Sequence, residues 1–559
     1  MKTQYSFDRL KRDILAGTTV GVIALPLAMA LAIGCGVPPQ HGLYTAIFSG
    51  IIIAITGGSR FNVSGPTAAF VVVLLPISQK YGLTGLLTAT VFGGLILLVM
   101  GLSQLGGAIR LIPYPVIVGF TSGIGVVIGV FQVNHLLGID LAPSSSVWGT
   151  LYQLSGLLSH WSWADTLVGV FTLMLLIYFP KLNFPIPSHL VAVLGGTTMS
   201  IWLGWLFAGI QPKTIGSEFG YIVNGELLHG IPSTLPSFAF PWAGVSSEAP
   251  LEWSLKLVKE LGLAGFTIAV LGAIESLLCA VVADGMTGTK HNPNRELIGQ
   301  GLGNLIAPFF GAIPATAAIA RTAANIKAGA TSSVSALVHG LFLLATLVFL
   351  GQWLSFIPMS SLAALLLLIA WNIAEANYFI KIVRTAPKSD VMVMVTCFLL
   401  TVFVDMVMAV TVGIGLASFL FIKRMSELSG IPPLDTESVE ACQFREQNTL
   451  LFRLQGPLFF GAAQKALSHL ELIEPNRHSV ILDFSMVPLM DLTGLVALES
   501  IIDRLFMNQV PVVFLCVAPK LKKKLSVAYG EDKYRQIFFA EDYQGSMLAL
   551  KQPPAVRIN

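Results

Sequence analysis

Up to about residue 425 the apolar residues come in long blocks, not in the alternating or three-to-four spacing of a soluble protein. A helix crosses a bilayer with roughly 17–25 mostly apolar residues. In the first half such blocks run over 14–34, 41–57, 66–79, 84–104, 115–134, 164–180 and 187–208. In the second they run over 257–282, 296–311, 316–327, 332–351, 358–373, 390–404 and 406–422. The pattern predicts an all-α polytopic membrane domain of fourteen spans over residues 1–425. Residues 209–255 are polar and rich in Pro and Gly, and they join the two halves. Beyond Pro432-Pro433 the pattern changes to short β-type runs at 449–454, 479–484 and 510–517, with helical stretches at 461–472 and 494–507 between them. Alternating strands and helices predict a small α/β domain over 434–550.

The third and tenth blocks are the short ones, and they share a sequence. Residues 61–70 read FNVSGPTAAF and residues 311–325 read GAIPATAAIARTAAN. Thr67-Ala68-Ala69 thus returns as Thr316-Ala317-Ala318, 249 positions later. Leu15-Ala16-Gly17 with Thr19 and Val22 returns as Leu263-Ala264-Gly265 with Thr267 and Val270, 248 positions later. Two matches at nearly one spacing indicate a duplication, with repeat one over about 13–208 and repeat two over about 256–424. Seven spans per repeat is an odd number, so the repeats are inverted relative to each other. A helix that starts in mid-membrane leaves its first N–H groups unpaired and its positive dipole end exposed. Such a start persists where it lines a cavity or meets a ligand. Paired starts in corresponding positions of two repeats mark a transporter's binding site, here for an anion.

Composition agrees with the block pattern: 54% of the 559 residues are hydrophobic and 11% are charged, against about 25% charged in soluble domains. The placement of the charges is more informative than their sum. Arg9, Lys11, Arg12, Arg60, Arg110, Lys181, Lys290, Arg295, Lys327, Lys381, Arg384, Lys388, Lys423 and Arg424 fall on one side of the predicted spans, and only Lys80, Lys213, Lys256 and Lys259 on the other. The positive-inside rule then puts both termini in the cytoplasm, and the expected location is a bacterial inner membrane. The polar, basic N-terminus carries no small-residue cleavage site after the first block, which reads as a retained span. The five cysteines have neither pair nor metal spacing, so neither a disulfide framework nor a metal site is expected. A GxxxxGK[ST] loop is absent, and no nucleophile, base and orienting group occur together. The chain reads as a secondary transporter with no cofactor, not as an enzyme, and nothing points to nucleic acid.

Glu275 lies mid-block in LGAIESLLCA. An intramembrane carboxylate is costly and marks function by default. It is the candidate coupling site for a proton or cation. Its counterpart in repeat one is Leu27, beside Pro26, which frees a helix carbonyl that a ligand can contact. Arg321, five residues after Thr316, is positioned to supply positive potential or to pair with Glu275. The candidate substrate-binding residues are therefore Thr67, Ala68, Ala69, Thr316, Ala317, Ala318, Arg321 and Pro26. Asn325, Asn372, Asp405 and His339 are further polar residues in apolar surroundings, where helix packing is the usual role. Asp284 is expected to end its span near the cytoplasm and to bind the loop that follows.

The motifs resemble one family. PQHGLYTA at 39–46, followed by GGSR at 57–60, is similar to the signature of the sulfate permease (SulP/SLC26) family of anion transporters, with His41 where Tyr is usual. DGMTGTKH at 284–291 and QGLGN at 300–304 also resemble it. The resemblance implies a seven-plus-seven inverted repeat with core and gate domains, an anion held between the third and tenth helix starts, a basic residue there at Arg321, and a homodimer in membrane lipid. The tail resembles a STAS domain, a candidate docking surface for a cytoplasmic partner protein. Its phospho-acceptor position would be Leu492 in Asp491-Leu492-Thr493-Gly494, which has no hydroxyl. Residues 271–289 look closest to the bacterial C4-dicarboxylate transporters. The leading expectation is thus proton-coupled uptake of a dicarboxylate such as succinate, with sulfate or bicarbonate transport, proton- or sodium-coupled, as the alternative. An anion channel, or a sensor with a vestigial membrane part, is the further alternative.

Overall fold

A computed structural model describes residues 6–107, 112–141, 146–182, 184, 186–207, 211–223, 226–244, 248–404, 406–428, 449–458, 479–534 and 537–551. The chain divides into two compact units, Met1–Gly415 and Leu416–Asn559. Every apolar block named above falls on a helix. Helix α1 is Phe7–Gly34. Helix α2 comes in two pieces, Pro39–Tyr44 and Gly50–Thr56, joined by a π-helical turn at Thr45–Ser49. Strand β1 (Ser64–Gly65) precedes α3 (Ala68–Leu102), which holds the third and fourth blocks in one rod kinked at Gly82. Gly82 has φ +67° there, a left-handed value that glycine adopts without a Cβ penalty. The N–H groups freed by the kink, those of Leu83 and Thr84, donate to the Glu248 carboxylate at 2.9 and 2.7 Å.

Helices α4 (Tyr114–Leu137), α5 (Val147–Leu157), α6 (Trp163–Tyr178) and α7 (Ser188–Leu206) complete the first repeat. The linker holds a hairpin, β2 (Gly220–Val223) with β3 (Glu226–His229). The second repeat begins with α8 (Leu255–Thr287) and α9 (Pro293–Ile306). Strand β4 (Thr316–Ala317) leads into α10 (Ile319–Lys327). Then come α11 (Val334–Leu354), α12 (Met359–Ala374), α13 (Ala376–Thr385), α14 (Lys388–Phe403) and α15 (Met406–Leu428). Among the described residues, nine helices are long and apolar enough to cross a membrane. The expected fourteen spans also counted the broken α2, the halves of α3, and the shorter α9, α10 and α14. Helices α5 and α13 were not expected, because at 11 and 10 residues they are too short to stand out as apolar blocks.

The helices pack in two groups. Helix α3 lies against α8 and α9, and α1 against α11; α4 lies against α12 and α14, and α6 against α7 and α12. The first group holds both short helix starts. Helix α2 approaches α1 so closely at Gly42 that a Cβ there would sit 2.0 Å from the Ala28 carbonyl oxygen. A side chain at this position would drive the two helices apart.

The second unit carries a parallel four-stranded sheet in the order β5 (Thr449–Gln455), β6 (Ser479–Met486), β7 (Val512–Leu515), β8 (Phe538–Ala540). Helices α16 (Leu492–Met507), α17 (Pro519–Tyr534) and α18 (Tyr543–Lys551) accompany it. One sheet face buries Val480, Leu482, Val512 and Phe514 against Leu498 and Ile502 of α16, and the other buries Leu451, Ile481, Val513 and Leu515 beside Tyr543. Both faces are covered, as a parallel sheet requires. The helix expected at 461–472 lies outside the described residues. Strand β8 was missed because three residues carry no readable period. Asp491 caps α16 by accepting from the Gly494 N–H at 2.8 Å, and Leu492 beside it is exposed.

Buried Asp483 accepts from the Arg453 Nε–H at 3.0 Å and from the Tyr543 hydroxyl at 3.1 Å. Burial works to raise its pKa, but hydrogen bonds from Ser485, Arg453 and Tyr543 outweigh it and hold the carboxyl below the usual aspartate value.

Candidate functional site

The two short helix starts meet. Strand β1 pairs antiparallel with β4, Ser64 opposite Ala317 and Gly65 opposite Thr316, and the Ala318 N–H donates to the Val63 carbonyl at 3.0 Å. From this crossing α3 and α10 run on, one from each repeat. Thr67 is the cap residue of α3 and Ala318 that of α10, and neither start is capped by a side chain. The first N–H groups of both helices therefore stay available to a ligand. Thr67, Ala68 and Ala69 are buried, as are Thr316 and Ala317. Small side chains leave the backbone approachable.

One face of α8 straps the crossing from behind. Gly272, Glu275, Ser276 and Cys279 follow the three-to-four spacing that puts residues on one helix face. Thr67 Oγ1 donates to Glu275 Oε2 at 2.7 Å. Ser276 Oγ and Thr316 Oγ1 share a hydrogen bond of 2.7 Å, and Thr316 also donates to the Gly272 carbonyl at 3.1 Å. Cys279 Sγ donates to Thr322 Oγ1 at 3.2 Å, and Thr322 accepts the Val63 N–H at 3.0 Å. Glu275 itself is half-buried. A carboxylate and the N-terminus of a half-helix are thus joined through one hydroxyl.

Arg321 is fully buried, and its Nη2 donates to the Pro66 carbonyl at 2.9 Å. It does not pair with Glu275, one of the two roles the sequence left open, because the guanidinium turns toward β1 while Glu275 turns toward Thr67. Gly65 makes room for it: a Cβ there would lie 2.4 Å from Arg321 Nη1. Pro26 is buried inside α1, which packs on α10 and α11.

A second layer fixes the loops leading into the crossing, and the sequence reading missed most of it. Buried Glu296 accepts from the Gly58 and Ser59 N–H groups, both at 2.9 Å, and from Asn62 Nδ2 at 2.9 Å. Gln300 Nε2 donates to Ser64 Oγ at 3.2 Å, and Asn304 closes a two-way bond with the Ala315 backbone at 2.7 and 2.8 Å. Gln300 and Asn304 stand in the QGLGN stretch, which was the legible signal. His41 Nδ1 donates to the Gly311 carbonyl at 2.7 Å, and Thr45 to the Ile313 carbonyl at 3.2 Å. The PQHGLYTA stretch is therefore a clamp on the segment before β4. Asp284 accepts from the His291 backbone N–H at 3.0 Å and from its ring at 2.7 Å, so it binds the loop after α8 as expected. Asn372 is exposed on α12, and Asp405 lies outside the described residues.

Crossed half-helices held against a long helix define a multi-pass membrane transport protein. The profile of the Sulfate permease family matches residues 10–397, and that of the STAS domain matches 443–538. The chain belongs to the sulfate permease family of anion transporters and carries a C-terminal STAS domain. It is 37% identical over 503 residues to the "Putative sulfate transporter YvdB" of Bacillus subtilis, covering 90% of both chains. It is 30% identical over 547 residues to the bicarbonate transporter BicA of Picosynechococcus, covering 93% of this chain and 91% of the relative. The solved transmembrane domain of a cyanobacterial BicA superposes with a TM-score of 0.62 at 29% identity, covering 74% of this chain and 98% of that one. Murine solute carrier 26 family member A9, solved facing inward, shares the fold with a TM-score of 0.83 at 20% identity, covering 99% and 92% of the two chains. The relatives are transporters and not enzymes.

Proposed function

We propose that the chain is a secondary active transporter of a small inorganic oxyanion, bicarbonate or sulfate, held between the starts of α3 and α10. The observation that carries this reading is the pair of uncapped helix starts crossing at β1 and β4, with Glu275 bonded to Thr67 at one of them. Relatives named for sulfate and bicarbonate, matched over most of both chains, favour these anions over the C4-dicarboxylate that residues 271–289 suggested. In this reading the N–H groups of Ala68, Ala69 and the first turn of α10 face the anion. Thr67 and Thr316 set the geometry of the two starts, Arg321 adds positive potential from behind, and Pro26 loosens α1 beside them.

Glu275 is the coupling group in the same reading. An anion entering a cell that is negative inside moves against the potential, at about 2.3 kcal/mol per charge per 100 mV. A proton or sodium ion carried with it offsets that cost. Bound at Glu275, the cation lowers repulsion between the carboxylate and the anion, and the Thr67 hydroxyl links the two sites. Residues 434–550 form a cytoplasmic domain that tunes transport, and the working unit is a homodimer in the inner membrane with both termini inside.

The test is uptake of labelled bicarbonate, sulfate and succinate into proteoliposomes, with proton and sodium gradients imposed separately. Accumulation of bicarbonate or sulfate on one of these gradients is expected. Accumulation of succinate alone would restore the dicarboxylate reading, and flux without any accumulation would make the protein a channel.

A further inference from the structure

Among the described residues, five polar atoms on two neighbouring helices have no hydrogen-bond partner: Arg321 Nε and Nη1, Asn325 Oδ1, and both ring nitrogens of His339. All three residues are almost fully buried, Arg321 at 1% exposure and the other two at 0%. They also belong together. Arg321 and Asn325 stand one turn apart on α10, and Ser335 and His339 one turn apart on α11. Asn325 Nδ2 donates to Ser335 Oγ at 2.9 Å, which joins the two helices at that level. One turn from that bond on each helix stand Arg321 and His339, and no hydrogen bond connects these two side chains.

Buried polar atoms without partners are rare, since burying them dry forfeits their hydration for nothing. Their chemistry says what meets them. A guanidinium only donates and an amide oxygen only accepts, while a neutral imidazole does one of each. An anion would answer the donors and leave the Asn325 oxygen and the imidazole lone pair unmet. Water answers both kinds, and buried waters typically make about three hydrogen bonds to such groups.

We propose that Arg321, Asn325 and His339 enclose a bound-water site on the α11 side of half-helix α10. The water gives the buried guanidinium the acceptors that Pro66 alone does not supply, and so holds it charged beside the β1–β4 crossing. His339 is a positioning residue for Arg321, acting through that water. The site itself requires no particular transported anion; only its value to transport rests on the reading above.

Two measurements on the full-length protein in lipid nanodiscs test it. An X-ray pulse makes hydroxyl radicals from bound water, so side chains beside such water oxidise even when buried. In the native protein, His339 is expected to oxidise at least tenfold faster than Phe120, which is buried to 2% exposure; equal protection of the two overturns the proposal. The second measurement is a thermal double-mutant cycle. His339→Leu is expected to lower the melting temperature by about 2–4 °C, His339→Gln to restore most of that loss, and His339→Leu to cost nothing further in an Arg321→Met background. An equal cost of His339→Leu in both backgrounds overturns the proposal. Should His339→Leu fail to fold, His339→Gln and the radiolysis of the native protein decide.

Discussion

The starts of α3 and α10 are the same motif used twice, and their surroundings differ. The first has its threonine, Thr67, bonded to a carboxylate, Glu275; the second has Thr316 bonded to a hydroxyl, Ser276, and to the Gly272 carbonyl. Both sets of partners come from α8. The helix that matches α8 in the first repeat is α1, and it offers Ala24, Pro26, Leu27 and Ala28 over the corresponding stretch. The duplication thus preserved the backbone geometry of two facing helix starts while only one repeat kept polar side chains behind them. The symmetric part is what an anion needs, since N–H groups and dipoles come with any helix start. The asymmetric part behind the starts includes a carboxylate, Glu275, at one end of the crossing, which is what coupling to a cation needs.

The largest effect should come from removing that asymmetry. Glu275→Gln keeps the Thr67 contact and removes the charge, so accumulation on an imposed proton or sodium gradient should fall by roughly 5–150-fold, while exchange of labelled for unlabelled anion continues. Undiminished accumulation would return Glu275 to a packing role. Next, Thr316→Val should destabilise the membrane unit by about 1–3 kcal/mol, because buried Ser276 and the Gly272 carbonyl each lose a hydrogen bond, whereas Thr67→Val should cost less, because Glu275 is half-buried. Thermal unfolding of the two variants side by side checks the order, and equal losses would mean the two starts are held alike. Gly65→Ala should displace the Arg321 guanidinium and loosen its bond to Pro66, raising the KM for the anion about threefold, a shift of about 0.7 kcal/mol. A KM that does not move would leave Arg321 without a part in binding.

A further effect, with no bearing on transport, is confined to the second unit. Asp483 has a lowered pKa in the folded state, so its stabilising contribution is fully present above the unfolded value of about 3.9. That contribution is lost as pH falls through the lower folded value. Asp483→Asn should therefore cost about 1–2 kcal/mol near pH 7, and the gap from the native protein should close below about pH 4. A gap that is constant with pH would show that the carboxylate charge is not what stabilises the unit.

Much of this was legible without coordinates because bilayers constrain sequence harshly. Long apolar blocks, the short third and tenth among them, and the repeated Thr-Ala-Ala follow from the need to satisfy every backbone group inside lipid. The break after Pro433 and the strand runs of the second unit were equally plain. Glu275 stood out because a carboxylate is conspicuous in an apolar block. Glu296 did not, since it sits in the polar first turn of α9 and looks like an ordinary helix-start acid. Only the fold shows that it holds three donors from the segment before β1.

The sequence by itself determined most of the helical segments, the repeated Thr-Ala-Ala starts among them, and which few polar residues lie in apolar surroundings, because these depend on local pattern and on transfer from water. The tertiary structure decided how those residues pair. Thr67 meets Glu275 and Arg321 meets the Pro66 carbonyl because β1 and β4 cross and α8 lies behind them. Pairings across about 200 residues of chain are set by packing, and no local pattern records them.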